Sequence, residues 1–190
     1  QSVNSFGNGT DTPRDYLERF LDQIERQENL LHAFVTLDLD AARHAANASG
    51  SRYQNGNPSS PIDGLPLGLK DIIQTATLPT QAGSPIFAGW QAERDSAIAA
   101  ALDRGGAIIV GKTATTEFAY GAITPARNPY DTQRTPGTSS SGSAAAVGAG
   151  MLPVAIGTQL MSSVMRPASY CGHVGVKPTY GAIRQDGIHP

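Results

Sequence analysis

Three segments of the sequence bring together residue types that can do chemistry: 64–71 (GLPLGLKD), 136–143 (PGTSSSGS) and 157–172 (GTQLMSSVMRPASYCG). The first sets Lys70 at the end of an apolar run. A strand lysine is commonly a solvated edge residue. Here Leu65, Leu67, Leu69, Ile72 and Ile73 imply a strand buried on both faces. Burial disfavours an ammonium and lowers its pKa from ~10.4 towards neutrality. A fall of ~3 units costs about 4 kcal/mol and yields a free amine able to act as a base. The second segment is a Ser/Gly loop running into the small-residue stretch 143–150 (SAAAVGAG). A flexible linker would read the same way, except that no linker is followed at once by a helix with an Ala/Val packing face. The third places Ser162 and Ser163 in a loop after a strand, then Arg166 and a helix-starting Pro167. Serines there are often only turn formers, but a hydroxyl becomes a nucleophile when a positioned base takes its proton.

These segments need elements to hold them. Residues 1–11 (QSVNSFGNGTD) are polar and Gly/Asn-rich and read as a loose arm. Thr12 offers an N-cap, Pro13 the favoured first helical position and Asp15 an acid in the first turn; Leu17, Phe20, Leu21 and Ile24 then recur at helical spacing, which predicts a helix over 13–27. A short apolar piece at Ala33–Leu37 precedes an Ala-rich helix near 39–48, and 49–63 reads as a turn-rich connector. From there short apolar strands alternate with helices: a strand at Leu65–Ile73, a helix at 95–104, strands at Ala107–Val110 and Pro153–Ile156, and loops at 127–142 and 158–165. This alternation argues for an α/β layered fold with a parallel or mixed sheet. Residues 106–113 (GAIIVGKT) match the phosphate-loop expression, but their variable positions are Ala, Ile, Ile and Val, a buried strand whose amides are committed to a ladder. Nucleotide binding is therefore not expected.

Composition narrows the function further. With 14 basic and 16 acidic residues the net charge is −2, which gives no electrostatic footprint for nucleic acid or an anionic membrane. No apolar run approaches the ~20 residues that span a bilayer, and no basic start followed by an apolar stretch marks a signal peptide. The expectations are therefore no nucleic acid partner, no membrane and a cytoplasmic location. The single cysteine, Cys171, excludes an internal disulfide and reads as a packing residue. Histidines 32, 44, 173 and 189 show no metal-ligand spacing.

Taken together, the segments resemble the amidase signature family. Its hallmark run GGSSxGSAAAVAAG is matched by 137–150, GTSSSGSAAAVGAG, and its continuation by 157–181, GTQLMSSVMRPASYCGHVGVKPTYG. Upstream, GxPxxxKD is matched by Gly64–Asp71, GKTNxxEFA by Gly111–Ala119 and RNPxxxxRTPGG by the run from Arg127 to Gly137. The resemblance extends from about residue 13 to the C-terminus. It implies an α/β; α/β/α layered domain with a mixed β-sheet. It also implies a serine amidohydrolase without metal or cofactor: Lys70 as base, Ser139 as proton relay with a typically cis peptide bond, and Ser163 as nucleophile. Backbone N–H groups of Leu160, Met161, Ser162 and Ser163 would form the oxyanion hole, and Ser140, Ser141, Thr158 and Asp71 would support the catalytic loops. The substrate would be a small-molecule amide, or a related carbamate, ester or urea derivative, and a homodimer is among the assemblies the family uses. Family members are considerably longer past the nucleophile, so 12–190 is expected to be the N-terminal and catalytic-core part of a single amidase domain, incomplete at its C-terminus.

The match has departures. Thr138 stands where the family usually has a second glycine, and Leu160-Met161-Ser162 replaces a glycine-containing approach to the nucleophile. A positive φ at Met161 would be strained. Gln159 replaces the Asp of tRNA-dependent amidotransferase members, which weakens that reading. Arg166 could pair with a substrate carboxylate, or serve as a structural arginine tying loops together. Two alternatives stay open: the amidase-type subunit of a tRNA-dependent amidotransferase complex, and a catalytically dead relative acting as a binding or scaffold protein.

Overall fold

The computed structural model describes residues 2–121 and 123–189; Gln1, Ala122 and Pro190 of the expected arm and domain lie outside them. Helix α1 (Ser2–Gly7) occupies part of the stretch read as a loose arm. Its Phe6 is buried edge-on against Tyr16 and Tyr53, an aromatic anchor that the polar composition around it hides. Helix α2 (Pro13–Leu31) starts as its capping residues predict: Thr12 accepts from the Asp15 N–H and Pro13 opens the first turn. It runs four residues beyond the expected end. His32 closes it with a left-handed φ of 48°, and the Glu28 carboxylate accepts the N–H groups of Ala33 and Phe34.

Strand β1 (Phe34–Leu37) leads to α3 (Leu39–Gln54), capped by Asp38. This helix extends into the expected connector because its last turn is held from outside. Arg52 grips the fully buried Asp63 carboxylate at 2.7 and 2.6 Å, and the Tyr53 hydroxyl donates to the Asp63 carbonyl. Next come β2 (Pro66–Lys70), α4 (Ala97–Arg104), β3 (Ile108–Thr113), α5 (Ser141–Gly148), β4 (Val154–Ile156) and α6 (Met165–Tyr170). The 106–113 stretch is the turn into β3 and β3 itself, as its apolar positions require.

The sheet is four-stranded and mixed, in the order β1-β3-β2-β4, with β3, β2 and β4 parallel and β1 antiparallel to β3. Helices α2, α3 and α5 cover one face through Leu17, Leu21, Ile24, Ala42, Ala145 and Ala146, packed on Ile108 and Val110. Helix α4 covers the other through Ala99, against Leu67, Leu69 and Ile73. This is the α/β/α layering the sequence implied.

Register places the chemistry. Between the pairs Leu67↔Ile109 and Gly68↔Gly111 the ladder skips Val110, and a bulge reverses the alternation of side chains beyond it. Thr113 consequently faces α5, where its hydroxyl meets Ser143 at 2.6 Å, while Lys112 faces the α4 side. Lys70, Thr113 and the residues after Ile156 all lie at the carboxyl ends of parallel strands, where open α/β sheets form their clefts.

The start of α5 is pressed against the sheet. A Cβ on Gly142 would collide with the Ala33 carbonyl and the Ala114 amide, whereas one on Gly50, inside α3, would meet nothing. Gly142→Ala is expected to lower stability by about 1–3 kcal/mol and Gly50→Ala to raise it by roughly 0.5–1 kcal/mol. Opposite displacements of the urea midpoint would show both. A neutral Gly142→Ala would contradict this packing.

Candidate active site

Lys70 ends β2, a strand buried at every position, and its side chain is fully enclosed. Gly68, two residues earlier on the same face, leaves no room for a Cβ against Thr113 and Leu152, so this face of β2 is packed to the backbone. With the sheet below and α5 beside it, Lys70 turns to the loops after Gly137 and Gly157. Its Nζ donates to Ser139 Oγ at 2.7 Å and to Thr158 Oγ1 at 2.8 Å. No carboxylate is among its described partners, and burial pushes its ammonium down to about 7. Burial thus favours the free amine near neutral pH.

The two serine-bearing loops are knitted through backbone and hydroxyl contacts. Ser140 Oγ donates to the Thr158 carbonyl at 3.1 Å and accepts the Thr158 N–H at 3.2 Å. Gly157 is required alongside, because a Cβ there would strike the Ser140 side chain. Thr138 Oγ1 donates to the Ser162 carbonyl at 3.4 Å, and the Ser140 N–H donates to the Ser163 carbonyl at 3.3 Å. These bonds carry Ser163 to the Ser139 loop. Among the described residues, no hydrogen bond joins the Ser163 hydroxyl to Ser139. The N–H groups of Leu160, Met161, Ser162 and Ser163 donate to no described residue, which leaves them available to a ligand. Gln159, in the position read as a departure, shapes the turn into α6, where its Oε1 accepts the Val164 and Met165 N–H groups at 2.9 Å.

The structure therefore brings together Lys70, Ser139, Ser140 and Thr158 and sets Ser163 beside them through its backbone. Ser141 turns away to Thr124 Oγ1 at 2.8 Å. Arg166 is exposed, and its side chain hydrogen-bonds no described residue, so it ties no loops together. Met161 does not adopt a positive φ; among the described residues the non-glycine ones that do are His32, Ala82, Phe118 and Ala119. Leu160 and Met161 instead point outward, 93% and 86% exposed. The peptide bond at Ser139 corrects one expectation, for no cis bond occurs among the described residues. Trans is the lower-energy form of a non-proline bond, and the loop facing Ser139 carries its large side chains into solvent rather than packing on that bond. Cys171 is buried, its thiol pushed up to about 12, in keeping with a packing residue. Among the described residues no cluster of His, Cys, Asp and Glu could hold a metal, and no helix is long and apolar enough to cross a membrane.

A second fully buried lysine, Lys112, was not legible as anything but strand. It lies 3.9 Å from the buried Asp71 carboxylate. The only hint was its strand's apolar pattern, which forces burial without saying what answers the charge.

The Amidase family profile matches residues 15–190. The chain belongs to the amidase signature family. The glutamyl-tRNA(Gln) amidotransferase A subunit of Anaeromyxobacter sp. (strain K) is 42% identical over 180 residues, covering 92% of this chain and 37% of that protein. The native peptide amidase from Stenotrophomonas maltophilia superposes with a TM-score of 0.93 at 33% identity, over 98% of this chain and 41% of that one. A chain from an inhibitor-bound vestigial protein complex, one revealing the evolutionary origins of an s-triazine catabolic enzyme, gives 0.94 at 34% identity, over 99% and 43%. This amidase-family chain thus spans little more than a third of the length of the curated relative. The departure at Gln159 had made the amidotransferase alternative the weaker one, yet a chain of that name is among the relatives it matches.

Proposed function

We propose that this chain carries the catalytic core of an enzyme that cleaves a carboxylic amide, or a related carbamate, ester or urea-derived bond, through an acyl-enzyme on Ser163. The observation that supports it most is the 2.7 Å contact between Lys70 Nζ and Ser139 Oγ in a site without counter-charge. In its free-amine form Lys70 accepts the Ser139 hydroxyl proton. Ser139 then accepts the Ser163 proton as Ser163 Oγ attacks the carbonyl carbon. The oxyanion is met by the uncommitted N–H groups of Leu160 to Ser163, where a single donor is worth roughly 10²–10³ in rate. The protons return by the same route to the leaving nitrogen, and water cleaves the ester to free Ser163. Thr158, bonded to Lys70, and Ser140, bonded to Thr158, keep the amine aimed at Ser139.

The 42% identity to a glutamyl-tRNA(Gln) amidotransferase chain favours a second reading in which the same chemistry releases ammonia from glutamine for transfer within a complex. Fluorophosphonate labelling followed by peptide mapping tests the shared mechanism. One adduct on Ser163, lost in Lys70→Ala, is expected; no adduct on the folded protein would refute it. Ammonia release from simple amides by the protein alone favours the hydrolase, and release only with a partner protein and tRNA present favours the amidotransferase.

A further inference from the structure

Behind Lys70, on the α4 side of the sheet, lies a buried charge pair that takes no part in the acyl-transfer route. Asp71 follows Lys70 in the chain, and Thr113, the β3 partner of Lys70, follows Lys112. Both Asp71 and Lys112 are fully enclosed. Lys112 Nζ donates to the Ile73 carbonyl at 2.7 Å, Thr80 Oγ1 at 2.6 Å and the Pro79 carbonyl at 3.3 Å. Asp71 Oδ1 accepts the Gln81 N–H at 3.1 Å and the Gly83 N–H also acts on the carboxylate, while Oδ2 has no partner at full hydrogen-bond geometry among the described residues. A buried pair with an unanswered oxygen is a poor way to hold a sheet together, since apolar residues of similar volume do as well or better.

The surroundings point the same way. Ala82, Phe118 and Ala119 all hold positive φ. The Ala82 N–H donates to the Asp71 carbonyl at 2.9 Å and the Phe118 N–H to the Ala82 carbonyl at 2.8 Å. Backbone strain therefore collects beside the strand end that carries the base, as it does at functional sites. The other charged or titratable groups near the pair are accounted for. Asp95 acts on Lys112 from before α4, Glu117 accepts from Ser84 Oγ, and His189 packs its ring on Phe87 and Phe118. On its own side Lys70 meets only hydroxyls.

We infer that Asp71 and Lys112 form an electrostatic positioning pair for the base, locking the turn after β2 and balancing the charge behind Lys70. The inference rests on the reading of Lys70 as base. A lone carboxylate behind the lysine would favour its ammonium form and a lone ammonium its amine form; together they nearly cancel. At an effective dielectric of ~20, two charges about 10 Å apart interact by enough to shift a titration by about one pH unit, which sets the size of the effect to look for.

The test is the pH dependence of fluorophosphonate labelling at Ser163 in the parent protein, Asp71→Asn, Lys112→Met and the double variant. The limb where labelling rises with pH should move up by about one unit in Lys112→Met, down by a similar amount in Asp71→Asn, and return in the double variant. Coincident limbs, or two shifts of the same sign, overturn the pair alone. A parent protein whose labelling ignores Lys70→Ala overturns the base assignment and this inference with it. Where a single variant does not fold, carbon-13 NMR of lysine and aspartate in the parent protein decides. Lys112 must stay an ammonium and Asp71 a carboxylate while Lys70 loses its proton; a neutral Lys112 or a protonated Asp71 at that pH overturns the proposal.

Discussion

Ser163→Ala is expected to reduce turnover of any amide the protein accepts by on the order of 10⁴-fold or more, with unfolding unchanged. The size of the loss follows from the division of labour in the site. In the proposed route Lys70 and Ser139 move a proton but form no bond to substrate, so nothing in the pair compensates for a missing attacking oxygen. Residues that act as one unit also lose nearly all their effect when the nucleophile goes. The neighbours cannot take over. Ser162 uses its carbonyl to accept from Thr138 and Arg166, which fixes its orientation one residue off. Cys171 is buried and its thiol is pushed up to about 12, so it offers no thiolate near neutral pH. Stability should hold because Ser163 is half-buried and its hydroxyl bonds to no described residue. Ser162→Ala is the matched control, with an expected change under tenfold. Steady-state rates of Ser163→Ala within tenfold of the parent would remove Ser163 from the mechanism, and similar losses in both variants would mean the loop, not one hydroxyl, is at stake.

How much of this could be read beforehand depended on the range of the forces involved. Helix α2 was legible at its start because Thr12, Pro13 and Asp15 act within one turn. Its end was not, since Glu28 closes it by reaching forward to Ala33 and Phe34. Helix α3 outran its expected limit for the same reason, with Arg52 and Tyr53 anchored on Asp63 across an irregular stretch. The buried setting of Lys70 followed from the apolar run that includes Leu65, Leu67, Leu69, Ile72 and Ile73, and so did the direction of its titration. Its partner Ser139, 69 residues away, came from family resemblance and not from spacing. Lys112 shows the limit most clearly. Its side chain faces α4 only because the ladder skips Val110, and no local pattern announces a bulge in a run of Ile, Ile and Val. The trans bond at Ser139 and the outward Leu160 and Met161 are likewise set by what packs around a loop, which composition does not reveal.

Lys70→Met should separate function from stability in opposite directions: activity at pH 7 falls by roughly 10²–10⁴ while unfolding free energy rises by about 1–3 kcal/mol. Methionine keeps most of the side-chain volume, so no large cavity forms, and it removes a charge that the native state holds at a loss. Free in the unfolded chain the lysine titrates near 10.5, but in the folded protein burial brings it to about 7. Between those values the unfolded state binds more protons than the native state, so native stability increases as pH rises through the window. Near pH 7 the penalty on the native state is roughly 4 kcal/mol. Lys112, brought down to about 8 by burial, adds the same sign over a narrower window. The parent protein should therefore gain stability as pH rises from 7, and Lys70→Met with a slope lower by nearly one proton; above about pH 8.5 Cys171, raised to about 12 by burial, adds a slope of opposite sign. Chemical denaturation at several pH values measures both slopes. Parallel slopes, or a Lys70→Met variant weaker than the parent at pH 7, would mean that Lys70 is held as an ammonium in the folded state. The free-amine base, on which the whole proton route depends, would then have to be abandoned.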